Sequence, residues 1–334
     1  MDKRTKRRSL ILLLFPMMLL IIGCNYLVKN ENLQVYSKPK YGIDKFVVVQ
    51  NYTIHYVEEG EGQPLLLIPG AFSTYREWNR LIPLLSKHYK VLAIDYLGAG
   101  DSDKPQSGFG YTIEEQADLI AMMIEKLQMP KVHIAGVSYG GGIALNLAAR
   151  YRDRVSGIVC IEGNGGMKHD KVPYRPMEAF LKWPVIGHAT IGTIRSGLVD
   201  KLIAKLVMGK AWGSMNHEER KEIIEIISQN NKTASRKSWY RISRTLETSK
   251  DFAEDTKTIR TPILYLYGEK SGYREMAEVN IDFFKNHLPN VEIVCFKDGI
   301  HDLELQKPEE VATLVLEFLR RDQKKGENLS YYDK

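Results

Sequence analysis

Residues 132–142 read Val132-His133-Ile134-Ala135-Gly136-Val137-Ser138-Tyr139-Gly140-Gly141-Gly142. Gly136, Ser138 and Gly140 form Gly-x-Ser-x-Gly, the pattern of a nucleophile elbow. The run before Ser138 is apolar and β-branched, as in a buried strand. The run after it, Ile143 to Ala149, is small and apolar and reads as helix. A serine on so sharp a strand-to-helix turn has an exposed Oγ, and the new helix aims its first N–H groups at a developing anion. The flanking glycines suit the close backbone approach that such a turn requires.

A serine nucleophile needs a base to take its proton and a carboxylate to orient that base. The chain has eight histidines. His133 lies inside the strand before the elbow and reads as a core residue. His55, His88, His217 and His287 fall on polar faces, and His169 and His188 lie in a helical segment that says little. His301 differs: it follows the apolar run Val291–Phe296 on a short loop, Lys297-Asp298-Gly299-Ile300, just before a last helix. That places it at the carboxyl edge of a sheet, where Ser138 also stands, and makes it the candidate base.

The rest of the chain alternates strand and helix. Phe46–Gln50 and Tyr52–Glu58 read as strands around a turn at Asn51, and Leu65–Ile68 and Val91–Ile94 as strands buried on both faces. Trp78, Leu81, Ile82 and Leu85 mark a helical face that Pro83 kinks or restarts. Thr112-Ile113-Glu114-Glu115 is a capping box opening a helix with Ile113, Ala117, Ile120, Ile124 and Leu127 inward. Such alternation implies a mostly parallel sheet with helices on both faces. From Gly163 to Asp255 no strand is legible. Trp183, Trp212 and Trp239 lie there with a helix near His217–Gln229, and the segment reads as a helical cap over the carboxyl edge. Pro262–Tyr267, a helix near Met276–Leu288 and the strand Val291–Phe296 resume the pattern. The last helix starts at Pro308 with Val311, Leu314, Val315, Phe318 and Leu319 inward, and the residues after Asp322 read as a loose polar tail.

Four segments in this order resemble the α/β-hydrolase family, over about Tyr41 to Arg321. They are Ile68-Pro69-Gly70-Ala71-Phe72, the turn Asp95 to Pro105, the elbow, and Gly299-Ile300-His301-Asp302-Leu303 with Lys307-Pro308-Glu309-Glu310-Val311 after it. The resemblance implies an α/β-hydrolase fold with an eight-stranded, mostly parallel sheet and a helical cap insertion. It implies oxyanion donors at the backbone N–H of Tyr139 and of Ala71 or Phe72. Many members carry the orienting acid as an aspartate in a segment like Gly268-Glu269-Lys270-Asp, but here the fourth residue is Ser271, which cannot ionise. Haloalkane dehalogenases of the fold include members with a glutamate shortly after the nucleophile, and Arg152 to Ile158 resembles their approach to that strand. Glu162 is therefore the expected acid, and Glu269 the second choice. Dehalogenases and epoxide hydrolases of the fold attack with an aspartate. A serine at 138 implies an acyl-enzyme and a carboxylic ester hydrolase. A cofactor-free perhydrolase, a C–C hydrolase or an amidase would use the same triad, and a slow-turnover ligand-binding or signalling protein could keep the fold. The substrate is expected to be a small molecule, and the cap that shapes its pocket is the least legible segment.

No metal and no cofactor are expected. His217-Glu218-Glu219-Arg220 lacks the second histidine of a zinc-binding helix, and Gly136-Val137-Ser138 fails the dinucleotide pattern.

The amino terminus reads as a targeting segment. Lys3, Arg4, Lys6, Arg7 and Arg8 precede an apolar run of 13 residues, Leu10–Ile22, shorter than the ~20 of a membrane span. Ile21-Ile22-Gly23-Cys24 resembles a bacterial lipobox, which implies lipidation (a palmitate-type anchor) at Cys24 and a body on the outer face of the cell membrane. The expected organisation is signal peptide 1–23, tether 24–40, core 41–164, cap 165–255, core 256–322 and tail 323–334. The formal charge is +6, but the first eight residues hold +4 of it, so nothing suggests a nucleic-acid partner. Cys160 and Cys295 read as small buried hydrophobes rather than a disulfide pair. Nothing in the sequence speaks to oligomeric state.

Overall fold

The computed structural model describes residues 31–166, 175–248 and 252–332. The expected signal peptide and Cys24 lie outside them. Eight strands form one sheet: β1 Ile43–Val49, β2 Tyr52–Glu59, β3 Pro64–Ile68, β4 Lys90–Ile94, β5 Val132–Val137, β6 Val155–Ile161, β7 Ile263–Gly268 and β8 Val291–Phe296. Their spatial order is β1-β2-β4-β3-β5-β6-β7-β8. β2 runs antiparallel to β1 and β4, and the remaining pairs are parallel. The swap of β3 and β4 puts β3 next to β5, so the segment Pro69–Phe72 leaves the sheet beside the elbow.

The strand sequences explain the two-sided burial. Leu66 and Ile68 of β3 join the core on one face, while Leu65 and Leu67 join the core on the other. A strand covered on both faces has no polar side, which is why these runs read as continuously apolar. On the first face pack the short helix α1 Ile82–Leu85's counterparts α2 Ile113–Lys126 and α3 Tyr139–Arg150. α1 itself packs on the second, with Trp78 and the last helix. Pro83 sits in the first turn of α1, after the 3₁₀ turn Tyr75–Arg80, so it restarts the helical path there. Thr112 and Glu115 form the capping box of α2.

Between β6 and β7 the described residues are helical: α4 Arg175–Lys182, α5 Pro184–Arg195, α6 Asp200–Met208, α7 His217–Lys232, α8 Arg236–Thr248 and α9 Ala253–Thr256. Their apolar residues form two satellite cores, one of which takes in Ile300 and Leu305 from beyond β8. Among the described residues no helix is long and apolar enough to cross a membrane. After β7 come α10 Arg274–His287, β8, α11 Leu303–Gln306 and α12 Pro308–Tyr332.

Four readings of the sequence change. His55 is buried, not on a polar face: its Nδ1 lies 2.7 Å from Asp95 Oδ2 and its Nε2 2.9 Å from Asp44 Oδ1. Burial alone would lower its pKa, but the two carboxylates outweigh that and raise it. Cys295 is exposed rather than buried, because β8 is the edge strand. It cannot pair with Cys160, since β7 lies between their strands. α12 continues to Tyr332, well past Asp322, because Glu, Lys and Gln propagate a helix readily even when polar. The stretch read as tether is, from Glu31 onward, held to the body: Val35 N–H donates to Asp101 Oδ1 at 2.6 Å, and Gln34 Nε2 to Asp101 O at 2.8 Å.

Glycine at 140 is required by contact. A Cβ there would stand 2.3 Å from Ile68 O and 2.6 Å from Pro69 O. Gly140→Ala must push the end of β3 away from α3. It should lower the unfolding free energy by about 2 kcal/mol, read as a lower denaturant midpoint in equilibrium unfolding.

Candidate active site

β5 ends at Val137 and α3 begins at Tyr139, leaving Ser138 on the turn between them. Ser138 has φ 52° and ψ −113°, a conformation an L-residue adopts only under constraint. Its N–H continues the sheet ladder to Ile161 O at 2.8 Å. The side chain faces a cavity of about 620 Å³ that is also lined by Ala71, Phe72, Leu206, Tyr273 and His301. Sequence positions from four strand ends and from the helical insertion thus meet over one serine.

Glu162 is the first residue beyond β6 and holds φ 46°. Its N–H donates to Leu266 O at 2.9 Å, so the residue is fixed on the sheet before its side chain turns. The side chain is almost fully buried. Oε1 accepts the Gly268 N–H at 2.8 Å, and Oε2 accepts the Ser271 hydroxyl at 2.6 Å. His301 Nδ1 lies 2.6 Å from the same Oε2. With Nδ1 bonded to a carboxylate, the ring carries its proton there and turns Nε2 outward as an acceptor. Burial pushes the His301 pKa down, but the Glu162 bond and the nearby Asp302 and Glu77 carboxyls push harder, and the net shift is upward. The Tyr273 ring packs 4.4 Å from the imidazole, centroid to centroid.

Glu269, the other candidate acid, points elsewhere. It pairs with Lys270 at 3.3 Å and accepts the Asp298 N–H at 3.4 Å. Ser271, where the sequence lacks an aspartate, supplies a hydroxyl to Glu162 instead of a second charge.

The two sides of the expected anion site differ. Tyr139 N–H belongs to the first turn of α3, and the Tyr139 side chain is buried, its hydroxyl donating to Tyr111 O at 2.7 Å. On the β3 side the Phe72 N–H donates to Tyr96 Oη at 3.1 Å, and that hydroxyl donates to Gly70 O at 3.1 Å. The Phe72 N–H, one of the two donors expected on this side, is therefore already engaged by Tyr96. Nothing local in the sequence announced Tyr96 as its partner.

Sequence reasoning also missed a group of carboxyls behind His301. Oxygens of Glu77, Asp302 and Glu304 lie within 4.8 Å of one another, the spacing of a metal-ligand set. All three pKa values are raised, by burial first: Glu77, to about 8, and Glu304 are pushed further by neighbouring carboxylates of the group, and Asp302 by Glu162. Glu77 Oε2 accepts the Gly70 N–H at 2.6 Å, bracing the loop after β3. His133 stands apart from the site: it is buried, with Nδ1 3.1 Å from Ser156 Oγ, and desolvation pushes its pKa down to about 4.

Comparison with known proteins agrees with this geometry. A family described as the alpha/beta hydrolase fold matches residues 63–190. The soluble epoxide hydrolase of Corynebacterium sp. is 33% identical over 115 residues, 34% of this chain and 40% of that protein. Haloalkane dehalogenase 2 of Mycobacterium tuberculosis is 39% identical over 106 residues, 32% of this chain and 37% of that protein. The chain spans about two-fifths of the length of these curated relatives. Among solved structures, a membrane phospholipase A described as a bacterial virulence factor superposes with a TM-score of 0.68 at 22% identity, covering 96% of each chain. Strand order, elbow and these likenesses converge on one conclusion: the chain has the alpha/beta hydrolase fold.

Proposed function

We propose that the protein is a serine hydrolase that cleaves a carboxylic ester through an acyl-enzyme. The observation that carries the reading is the Glu162–His301 contact of 2.6 Å on the cavity that Ser138 also lines. Ser138 Oγ attacks the ester carbonyl as His301 Nε2 takes its proton. The N–H groups of Tyr139 and Ala71 hold the oxyanion. The imidazolium returns the proton to the leaving alkoxide, and water, deprotonated by the same nitrogen, releases the acid. Glu162 keeps the imidazole in the reactive tautomer and stabilises its cation. The serine favours acyl chemistry over the alkyl-ester chemistry of relatives that attack with aspartate. That relatives are named as an epoxide hydrolase and a phospholipase supports a hydrolytic role in general. The body is held by a lipid on Cys24 at the outer face of a bacterial membrane.

Ser138→Ala should abolish hydrolysis of activated short-chain esters and labelling by a fluorophosphonate, with turnover falling by several orders of magnitude. A folded variant with near wild-type turnover would refute the assignment.

Glu162→Gln should cut kcat by roughly 10²–10⁴, while Glu269→Gln stays close to wild type. The pH profile separates this from a structural defect. His301 works as a base only when unprotonated, and its pKa is raised, so wild-type kcat/KM should climb through a midpoint above the ~6.5 of an ordinary imidazole. Removing the Glu162 charge takes away one upward push and should move the midpoint to lower pH.

Metabolic labelling with a fatty acid should mark the wild-type chain and not Cys24→Ala. Retained label, or a mature amino terminus at Met1, would overturn the anchor.

A further inference from the structure

The helices over the sheet edge leave an apolar face uncovered. α6 buries Asp200, Ala204 and Met208. Its opposite side carries Leu202 and Leu206, and Leu198 continues the line one turn earlier, at 57%, 71% and 81% exposure. A spacing of four puts Leu202 and Leu206 on one stripe of the helix, the exposed Leu198 stands in the turn that leads into it, and the exposed Lys201 and Lys205 run beside it. A second exposed run, Lys182-Trp183-Pro184-Val185-Ile186, joins α4 to α5, with Trp183 61% exposed.

The charge around these residues has one sign. Between Ala179 and Gly213 the cations are Lys182, Arg195, Lys201, Lys205 and Lys210. The single acid in that stretch, Asp200, is buried and accepts a bond from Asn231 Nδ2 at 2.6 Å. Along that stretch the chain exposes leucine, tryptophan and lysine and no carboxylate, a combination that complements an anionic lipid headgroup layer above acyl chains. Two copies of the same stripe would instead set lysine against lysine.

The course of the chain points the same way. Glu31 lies against α5, the helix that begins beside Trp183, and against α8: its carboxylate is 3.2 Å from His188 Nε2 on α5, accepts the Ser235 hydroxyl at 2.7 Å and stands 3.7 Å from Arg236 Nε on α8. Eight residues separate Glu31 from Ile22, the end of the apolar run, and can span at most about 30 Å. An anchor in that run, or a lipid on Cys24, keeps this face within that distance of the bilayer. Finally, Leu206, Val207 and Lys210 line the cavity that holds Ser138 and His301, so the stripe ends at the mouth of the site.

We propose that the Leu198–Leu206 stripe and the Trp183 tip dock on an anionic bilayer, with the cavity opening against it, and that the ester substrate is an acyl lipid drawn from that bilayer. The docking stands on the surface alone; the substrate class rests on the ester reading.

The test uses the full chain with phosphatidylglycerol vesicles whose acyl chains are brominated, against phosphatidylcholine vesicles. Tryptophan emission should be quenched in the anionic vesicles, and the quenched fraction should vanish in Trp183→Phe. Leu198→Asp with Leu202→Asp should reduce the quenching at least fivefold while turnover of a soluble short ester is unchanged. Vesicle binding without Trp183 quenching would mean that the amino-terminal anchor acts alone and would overturn the docking. So would lipid-free dimerisation, measured by sedimentation, that the double variant dissolves. Hydrolysis of soluble esters without release of fatty acid from vesicles would overturn the substrate class only. Quenching in a chain that cleaves no ester at all would overturn the ester reading and leave the docking in place.

Discussion

A buried carboxylate must be bonded or neutralised, and Glu162 meets that demand three times. It accepts from Gly268 N–H, from Ser271 Oγ and from the His301 ring. Removing a carboxylate from water costs several kcal/mol, and only well-placed donors offset that cost. The donors come from the end of β7, the loop after it and the loop after β8. One side chain therefore sets the spacing of three segments that are remote in sequence. The loop that carries His301 is braced independently, by Lys270 N–H to Gly299 O at 2.8 Å and by Ile300 N–H to Gln306 Oε1 at 2.7 Å. Acid and base thus meet between rigid supports rather than on free loops, which is what pre-organised chemistry requires.

The sheet edge also stores strain. Phe72, Ser138 and Glu162 follow β3, β5 and β6, three neighbouring strands, and each has a positive φ without being glycine. Such residues cost about 1–3 kcal/mol each. They persist because their surroundings over-determine them: Tyr96 holds Phe72, the Gly140 approach holds the elbow, and the Glu162 bonds hold Glu162. The carboxyls of Glu77, Asp302 and Glu304 cluster behind this edge, and those of Asp302 and Glu77 support the upward shift of the histidine.

Much of this was legible in the sequence where the signal was local. Apolar runs buried on both faces, the elbow, the Thr112 capping box and the polar loop before His301 each span a few residues and obey one periodicity or one turn rule. What was illegible depends on partners far along the chain. His55 reads as a polar-face residue because its own strand alternates, and only the fold brings Asp95 and Asp44 to it. Cys295 looks like a core residue because an edge strand is as apolar in sequence as a central one. Glu77 meets Asp302 and Glu304 across more than two hundred residues. The engagement of the Phe72 N–H by Tyr96 is a side-chain-to-backbone bond with no motif. Ser271 was readable as an absent charge, but not as a donor to the charge that stands nearby.

The positions of these residues along the chain set an order of events in biosynthesis. Ser138 and Glu162 directly follow β5 and β6, adjacent strands joined through α3, and all of this precedes the helices that cover the edge. Translation, at roughly 5–20 residues per second, completes that pair well before His301 emerges. Until β7 and β8 dock, Glu162 lacks every one of its three donors and is a lone carboxylate at an open edge. The Glu162–His301 pair is therefore the last part of the site to assemble, and a nascent chain carries Ser138 before His301 stands opposite it.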